Sequence, residues 1–184
     1  WQAIACQAQD NQWVYIQISR GLSMRDLACP PTDSPPTVLV MSNPLHTPSS
    51  QLLATGVSAV TANDNRWQRC DIKTTSLLPN VLLRQQSTQA QAAETILLRD
   101  GFLTEGTSSN VFIVKDGRLI APPKSHLILP GVTYDVVLEI AQTHQMPHEV
   151  RPITEAELRQ ADEIWLTSSP KEVLPVTLLD GKPI

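Results

Sequence analysis

No two cysteines in this 184-residue sequence stand close enough to make a metal or redox pair: Cys6, Cys29 and Cys70 are odd in number, widely spaced and without a CxxC. That excludes a disulfide framework and a thiolate zinc site. The four histidines, His46, His126, His144 and His148, form no HExxH pair. His144 and His148 are four apart, but Pro147 between them breaks any helix that would align their rings, so no metal is expected. Long apolar runs are missing too. None approaches the ~20 residues of a spanning helix, and no positively charged leader precedes an apolar segment. The expectation is a cytoplasmic protein without a membrane partner. Lysine and arginine total 14, are scattered, and are outnumbered by 18 aspartates and glutamates, which argues against nucleic acid.

What is present is an ordinary globular balance, 41% hydrophobic and 17% charged with a net charge of -4, enough for one domain or two small ones. Trp1 to Gln12 is rich in Ala and Gln and reads as the tail of a helix. Val14 to Ser19 alternates apolar and polar side chains, a half-buried strand. Ala28 to Pro36 is a proline-rich surface loop, and Thr37 to Met41 is predicted as a buried strand. The stretch from Ser42 to Ser50, rich in Pro and Ser, is the best linker, so a boundary is placed there: residues 1-48, then residues 49-184.

In the second part, Val57 to Thr61 reads as a strand. Ser76 is a candidate N-cap with Pro79 in the first turn of a helix running to about Ala92, whose apolar face is Leu77, Leu78, Val81 and Leu82. Asp100-Gly101, Asp116-Gly117 and Asp180-Gly181 are hairpin signals between apolar runs, and three of them predict an antiparallel, meandering sheet. Thr154 to Glu157 is a capping box. Glu163 to Thr167 is a strand that delivers Ser168 and Ser169.

Some residues carry candidate chemistry. Lys73 precedes a helix start, where a strand-to-helix junction holds one amine at the rim of a pocket; read alone it is either a solvated charge or a covalent-catalysis lysine. Gly131-Val132-Thr133 lies on the first turn of a helix, either an ordinary start or an anion site made by free N-H groups and the dipole. Glu105 alone reads as a surface turn residue, and Arg20 and Arg25 as solvated surface.

Five motifs occur in order: Arg69-Cys70-Asp71-Ile72-Lys73-Thr74, Glu94, Thr104-Glu105-Gly106-Thr107-Ser108-Ser109-Asn110-Val111-Phe112, Leu129-Pro130-Gly131-Val132-Thr133, and Leu166-Thr167-Ser168-Ser169-Pro170-Lys171-Glu172. Together they resemble the fold-type IV pyridoxal-phosphate enzymes, the family of D-amino-acid and branched-chain aminotransferases, and most of all the D-amino-acid aminotransferases. The resemblance covers nearly the whole chain.

It implies an α+β, two-domain class IV aminotransferase fold with the cofactor site between domains. Residues 1-48 would be the end of a small N-terminal domain plus linker, and residues 49-184 the cofactor-binding domain. Measured against the family, the chain lacks the start of the first domain and the end of the second. The resemblance further implies pyridoxal 5'-phosphate held as a Schiff base on Lys73, with Glu105 at the pyridine nitrogen and Leu129 on a ring face. Val132, Thr133, Ser168 and Ser169 would hold the phosphate, and Arg25 the substrate carboxylate. Glu94 and Arg66 match charged positions near the cofactor. Family members commonly carry a His two residues after that arginine, where this chain has Leu27, which puts strict D-amino-acid specificity in question. The implied reaction moves an amino group from an amino acid, expected to be a D-amino acid, to a 2-oxo acid in a homodimer. The alternatives are a lyase of the 4-amino-4-deoxychorismate type and a non-catalytic remnant of the fold.

Overall fold

Each of the three Asp-Gly pairs turns the chain as its residue types dictate. In the computed structural model, which describes residues 2–29 and 31–184, Asp100, Asp116 and Asp180 have φ of 52°, 50° and 49°, and the glycines after them 80°, 71° and 74°. Two successive left-handed residues make the tight hairpin whose twist suits adjacent strands. The strands so joined are β4 (Glu94–Arg99) to β5 (Phe102–Gly106), β6 (Asn110–Lys115) to β7 (Arg118–Ala121), and β10 (Glu172–Leu179) to β11 (Lys182–Pro183), all antiparallel.

The sheet is nevertheless mixed and not an antiparallel meander. With β3 (Val57–Asn63), β8 (His148–Val150) and β9 (Glu163–Ser168), its order is β5-β4-β3-β10-β9-β6-β7-β8. Strand β3 runs parallel to both β4 and β10, and β7 parallel to β8. Asp-Gly turns fix only neighbours in sequence, whereas a parallel pair needs a long crossover. The crossover from β3 to β4 contains Lys73 and helix α3 (Leu78–Gln89).

Helix α3 departs from expectation in three ways. Its N-cap is Leu77, without a side-chain cap, in place of Ser76. It ends at Gln89 because Gln91 takes a left-handed φ of 55° and Ala92 N-H turns back to Ser87 O. Finally, Leu77, Leu78, Val81 and Leu82 are exposed, while Leu83 and Ser87 face inward. The helix rests on β4 through the Leu83 face, and Thr95 Oγ1 donates to Leu83 O at 2.9 Å.

Helices α4 (Val132–Thr143) and α5 (Glu155–Arg159) begin where the sequence places them, and α5 carries both hydrogen bonds of its capping box. Tyr134, Val137 and Ala141 of α4 pack with Phe112, Leu119 and Ala121 of β6 and β7. A larger core joins Ile96, Val111, Ile113, Ile164, Leu166 and Leu174 with Leu158 of α5.

The chain divides into two compact units, Trp1–His46 and Thr47–Ile184, and the core just described belongs to the second, which also includes helix α2 (Ser50–Thr55). The first has helix α1 (Gln2–Ala5) and strands β1 (Gln12–Ser19) and β2 (Thr37–Pro44) in an antiparallel pair. The helix expected from Trp1 to Gln12 is one turn long, since so short an Ala- and Gln-rich stretch is marginal without packing; Trp1 itself lies outside the described residues. Pro30, within the expected loop from Ala28 to Pro36, also lies outside them. The expectation of a buried strand at Thr37 to Met41 fails, because Val38, Leu39, Val40 and Met41 are all exposed. Among the described residues only β1 pairs with this strand, and a two-stranded ribbon leaves much of its faces open.

The α3 assignment gives opposite outcomes for adjacent leucines. Leu83→Ala, at a side chain 1% exposed, is expected to cost about 2–4 kcal/mol. Leu82→Ala, 58% exposed, should stay within about 0.5 kcal/mol of the parent. Urea unfolding of both variants checks this, and equal losses would contradict the observed face.

Candidate active site

Asn110, the first residue of β6, joins Glu105, Leu129 and the start of α4. Its side-chain N-H groups donate to Glu105 Oε2 at 3.2 Å and Leu129 O at 3.0 Å, while its Oδ1 accepts from Gly131 N at 2.9 Å. Leu129 N also donates to Glu105 Oε2, at 3.0 Å. One buried amide thereby joins a carboxylate, the backbone of Leu129 and the N-cap of α4. Asn110 stands opposite Thr167 in the β6–β9 pairing, so Ser168, the next residue, belongs to the same edge.

The start of α4 has the chemistry of an anion site. Gly131 is its N-cap and offers no side-chain cap. The Gly131 amide is taken by Asn110, but those of Val132 and Thr133 have no acceptor among the described residues, as first-turn amides do when no cap is present. Ser168 is half-buried, with Oγ accepting from Lys171 N at 3.3 Å, and Ser169 is exposed.

Glu105 is buried beside Arg66, whose Nη1 lies 2.6 Å from Oε1. Arg66 in turn pairs with Asp64 at 2.9 Å and donates to Leu127 O at 3.2 Å. Arg99 adds a second cation to Asp64 at 3.0 Å. Burial pushes the Glu105 carboxyl up, to about 7, against the opposing pull of the Arg66 guanidinium and the Leu129 amide. Asp64 moves the other way: two guanidiniums and their hydrogen bonds outweigh its burial and hold it below the ordinary range.

Lys73 lies in the loop between β3 and α3, exposed, and among the described residues it has no hydrogen bond or ion pair. The loop is pinned on both sides. Before it, Cys70 N donates to His126 O at 2.8 Å; after it, Asn80 Nδ2 donates to Thr107 O at 2.9 Å. Arg25 is exposed, in the first unit, and makes no hydrogen bond among the described residues.

The turn between β5 and β6 is built around Glu94, another fully buried carboxylate. It accepts from the Thr107 hydroxyl and amide, from Ser109 Oγ at 2.7 Å and Ser108 Oγ at 3.2 Å, and pairs with Lys171. A Cβ on Gly106 would stand 2.5 Å from Ser109 Oγ and 3.1 Å from the Glu94 side chain, so the close approach requires glycine. Sequence reasoning assigned no role to Asn110 or Lys171, although both stand inside recognised motifs; their partners lie up to 77 residues away. An apolar cavity of about 380 Å³ lies between Arg99, Phe102, Leu103, Pro122, Leu127 and Pro152, and no predicted site residue lines it.

With the geometry established, comparison places the chain. The family described as Amino-transferase class IV matches residues 2–179, and the chain belongs to it. It is 41% identical over 171 residues to a D-alanine aminotransferase of Bacillus licheniformis, a match covering 93% of this chain and 60% of that protein. Among solved structures, a fold IV-transaminase from Curtobacterium pusillum superimposes with a TM-score of 0.80 at 25% identity, covering 94% of this chain and 58% of that one. A hypothetical aminotransferase from Mycobacterium tuberculosis in its PLP-bound form gives 0.78 at 26% identity, over 99% and 65%. The chain spans about 60% of the length of the curated relatives it matches.

The raised Glu105 value makes a prediction for the protein without cofactor. Its folded value lies above the ordinary 4.5, so its stabilising contribution is complete below that pH and is lost as the pH climbs to about 7. Glu105→Gln removes that dependence. The parent's melting temperature minus the variant's should therefore shrink between about pH 5 and pH 8. A difference that stays flat over that range would show that Arg66 holds Glu105 ionised throughout.

Proposed function

We propose that this chain carries the cofactor-binding part of a pyridoxal-phosphate-dependent aminotransferase, which moves an amino group from an amino acid to a 2-oxo acid. The observation that carries the reading is the cluster on Asn110: a buried carboxylate and an uncapped helix N-terminus tied together by one side chain. These are the two groups that a pyridine nitrogen and a phosphate require. The donor set fits the cofactor. When bound, pyridoxal phosphate supplies an electron sink for the carbanion left when an amino acid loses its alpha proton.

Lys73 would hold the cofactor covalently and, as a free amine, would move the proton at the substrate's alpha carbon. A free amine is needed for both tasks, and Lys73 has no carboxylate partner among the described residues. Glu105 would stand at the ring nitrogen and Leu129 on a ring face, the Val132 and Thr133 amides with Ser168 and Ser169 would hold the phosphate, and Arg25 would bind the substrate carboxylate as a bidentate donor. Arg66 orients Glu105 through their contact.

The curated relatives are named D-alanine aminotransferases, which favours a D-amino acid as donor. Leu27, exposed beside Arg25, supplies no polar group to that carboxylate site. We further propose a cytoplasmic homodimer. The residues 1-48 would be the end of a small domain and the residues 49-184 the cofactor-binding domain. The names of the relatives weigh against the lyase alternative.

Incubation with pyridoxal phosphate, borohydride reduction and peptide mapping should find the cofactor-derived mass on Lys73 alone. No adduct, or adducts spread over several lysines, would overturn the reading. Lys73→Ala is expected to abolish the adduct and transamination. Glu105→Gln should retain cofactor while turnover falls by about 100-fold or more, the scale of a lost proton-transfer role. Steady-state assays against D- and L-amino acids read both.

A further inference from the structure

Lys171 is not needed for any chemical step above, yet it makes a specific long-range contact. It sits in the turn between β9 and β10, and its Nζ lies 2.8 Å from Glu94 Oε2 at the start of β4. Its own backbone amide donates to Ser168 O at 3.1 Å and to Ser168 Oγ at 3.3 Å, so the lysine is folded back onto the turn that carries Ser168 and Ser169. Glu94 meanwhile fastens the Thr107–Ser109 turn by an amide and three hydroxyls. Two turns, far apart in the sequence, share one carboxylate.

We propose that Glu94 and Lys171 are a pair of positioning residues for the phosphate side of the site, a buried clamp that locks the Ser168-Ser169 turn against the Thr107–Ser109 turn. The inference rests on the cofactor reading above. The clamp sets where the two serine hydroxyls stand relative to Asn110, and through Asn110 relative to the N-terminus of α4. Lys171 acts through this contact and is not itself a phosphate ligand, because its ammonium is already matched by a carboxylate. The charges facing Glu94 are Lys171 and, more distantly, Arg84 at 3.9 Å. Burial by itself would raise the Glu94 carboxyl, but the lysine and the hydroxyls outweigh it and hold it down to about 2. Glu94 therefore stays ionised at any pH at which the enzyme would work.

The test uses the full chain and two probes, pyridoxal phosphate and pyridoxal, which share the aldehyde and differ in the phosphate. Dissociation constants for both are measured by absorbance. In Lys171→Met the preference for the phosphorylated probe should fall by about tenfold, the scale of one lost charge-assisted contact, with pyridoxal binding within about twofold of the parent. Lys171→Arg should restore the preference. Lys171→Met leaves a buried carboxylate unpaired and can cost the fold, so the double variant Glu94→Gln/Lys171→Met, which removes both charges, carries the same expectation. A folded variant with the parent's preference overturns the clamp. So does an equal loss for both probes, which a merely structural role would give. If the parent binds neither probe on Lys73, the cofactor reading itself has failed, and that is seen before any substitution is made.

Discussion

One hydrogen-bonded amide, Asn110, holds the candidate site in register. Its donors and acceptor fall on three separate pieces of chain, Glu105, Leu129 and Gly131. Nothing in the local conformation of any of the three would bring it to the other two. Asn suits this position because a single planar group offers two N-H donors and an acceptor at fixed angles. An aspartate of the same shape would place a second carboxylate beside Glu105 and leave Leu129 O without a donor. The position is also rigid: Asn110 begins a central strand paired with β9, so the amide is anchored by the sheet and not by a loop.

Two glutamates on neighbouring strands show how environment separates groups of equal chemistry. Both are buried, and burial alone would raise both. Glu94 meets a lysine and three hydroxyls and stays ionised; Glu105 shares its arginine with Asp64, and its desolvation wins. The first arrangement suits a permanent anchor. The second leaves a carboxyl that exchanges its proton near neutral pH. The Arg99-Asp64-Arg66-Glu105 chain behind it alternates two guanidiniums with two carboxyl groups, so each buried cation meets an acidic partner.

The locally encoded features were legible in the sequence. Asp-Gly turns, the Thr154 capping box and the start of α4 at Val132 each depend on residues within a few positions, and each stands where the sequence puts it. Features that depend on what lies across the fold were not. Leu77, Leu78, Val81 and Leu82 have helical spacing, but spacing cannot tell which stripe meets the sheet, and the stripe that does contains Leu83. Thr37 to Met41 looks like a core strand by composition and is exposed because only β1 pairs with it. Parallel pairing of β3 with β4 and β10 left no mark between adjacent residues. Likewise the partners of Glu94 and Glu105 could not be read from spacing, since Lys171 is 77 positions from one and Arg66 is 39 from the other.

The placement of Lys73 follows from the same crossover that sequence reasoning missed. A β3–β4 pair with its strands parallel obliges the chain to return to the same end of the sheet, and the return path begins with the segment from Asp64 to Leu77. That segment is not loose: Arg66, Cys70 and Asn80 fasten it to Glu105, His126 and Thr107. Between the last two anchors the chain leaves Lys73 exposed, and, like Lys182 but unlike Lys115, Lys124 and Lys171, it has no carboxylate partner among the described residues. Lys73, in a segment fastened at Cys70 and Asn80 and, among the described residues, unpaired at its tip, owes that placement to the crossover and not to the residues beside it in sequence.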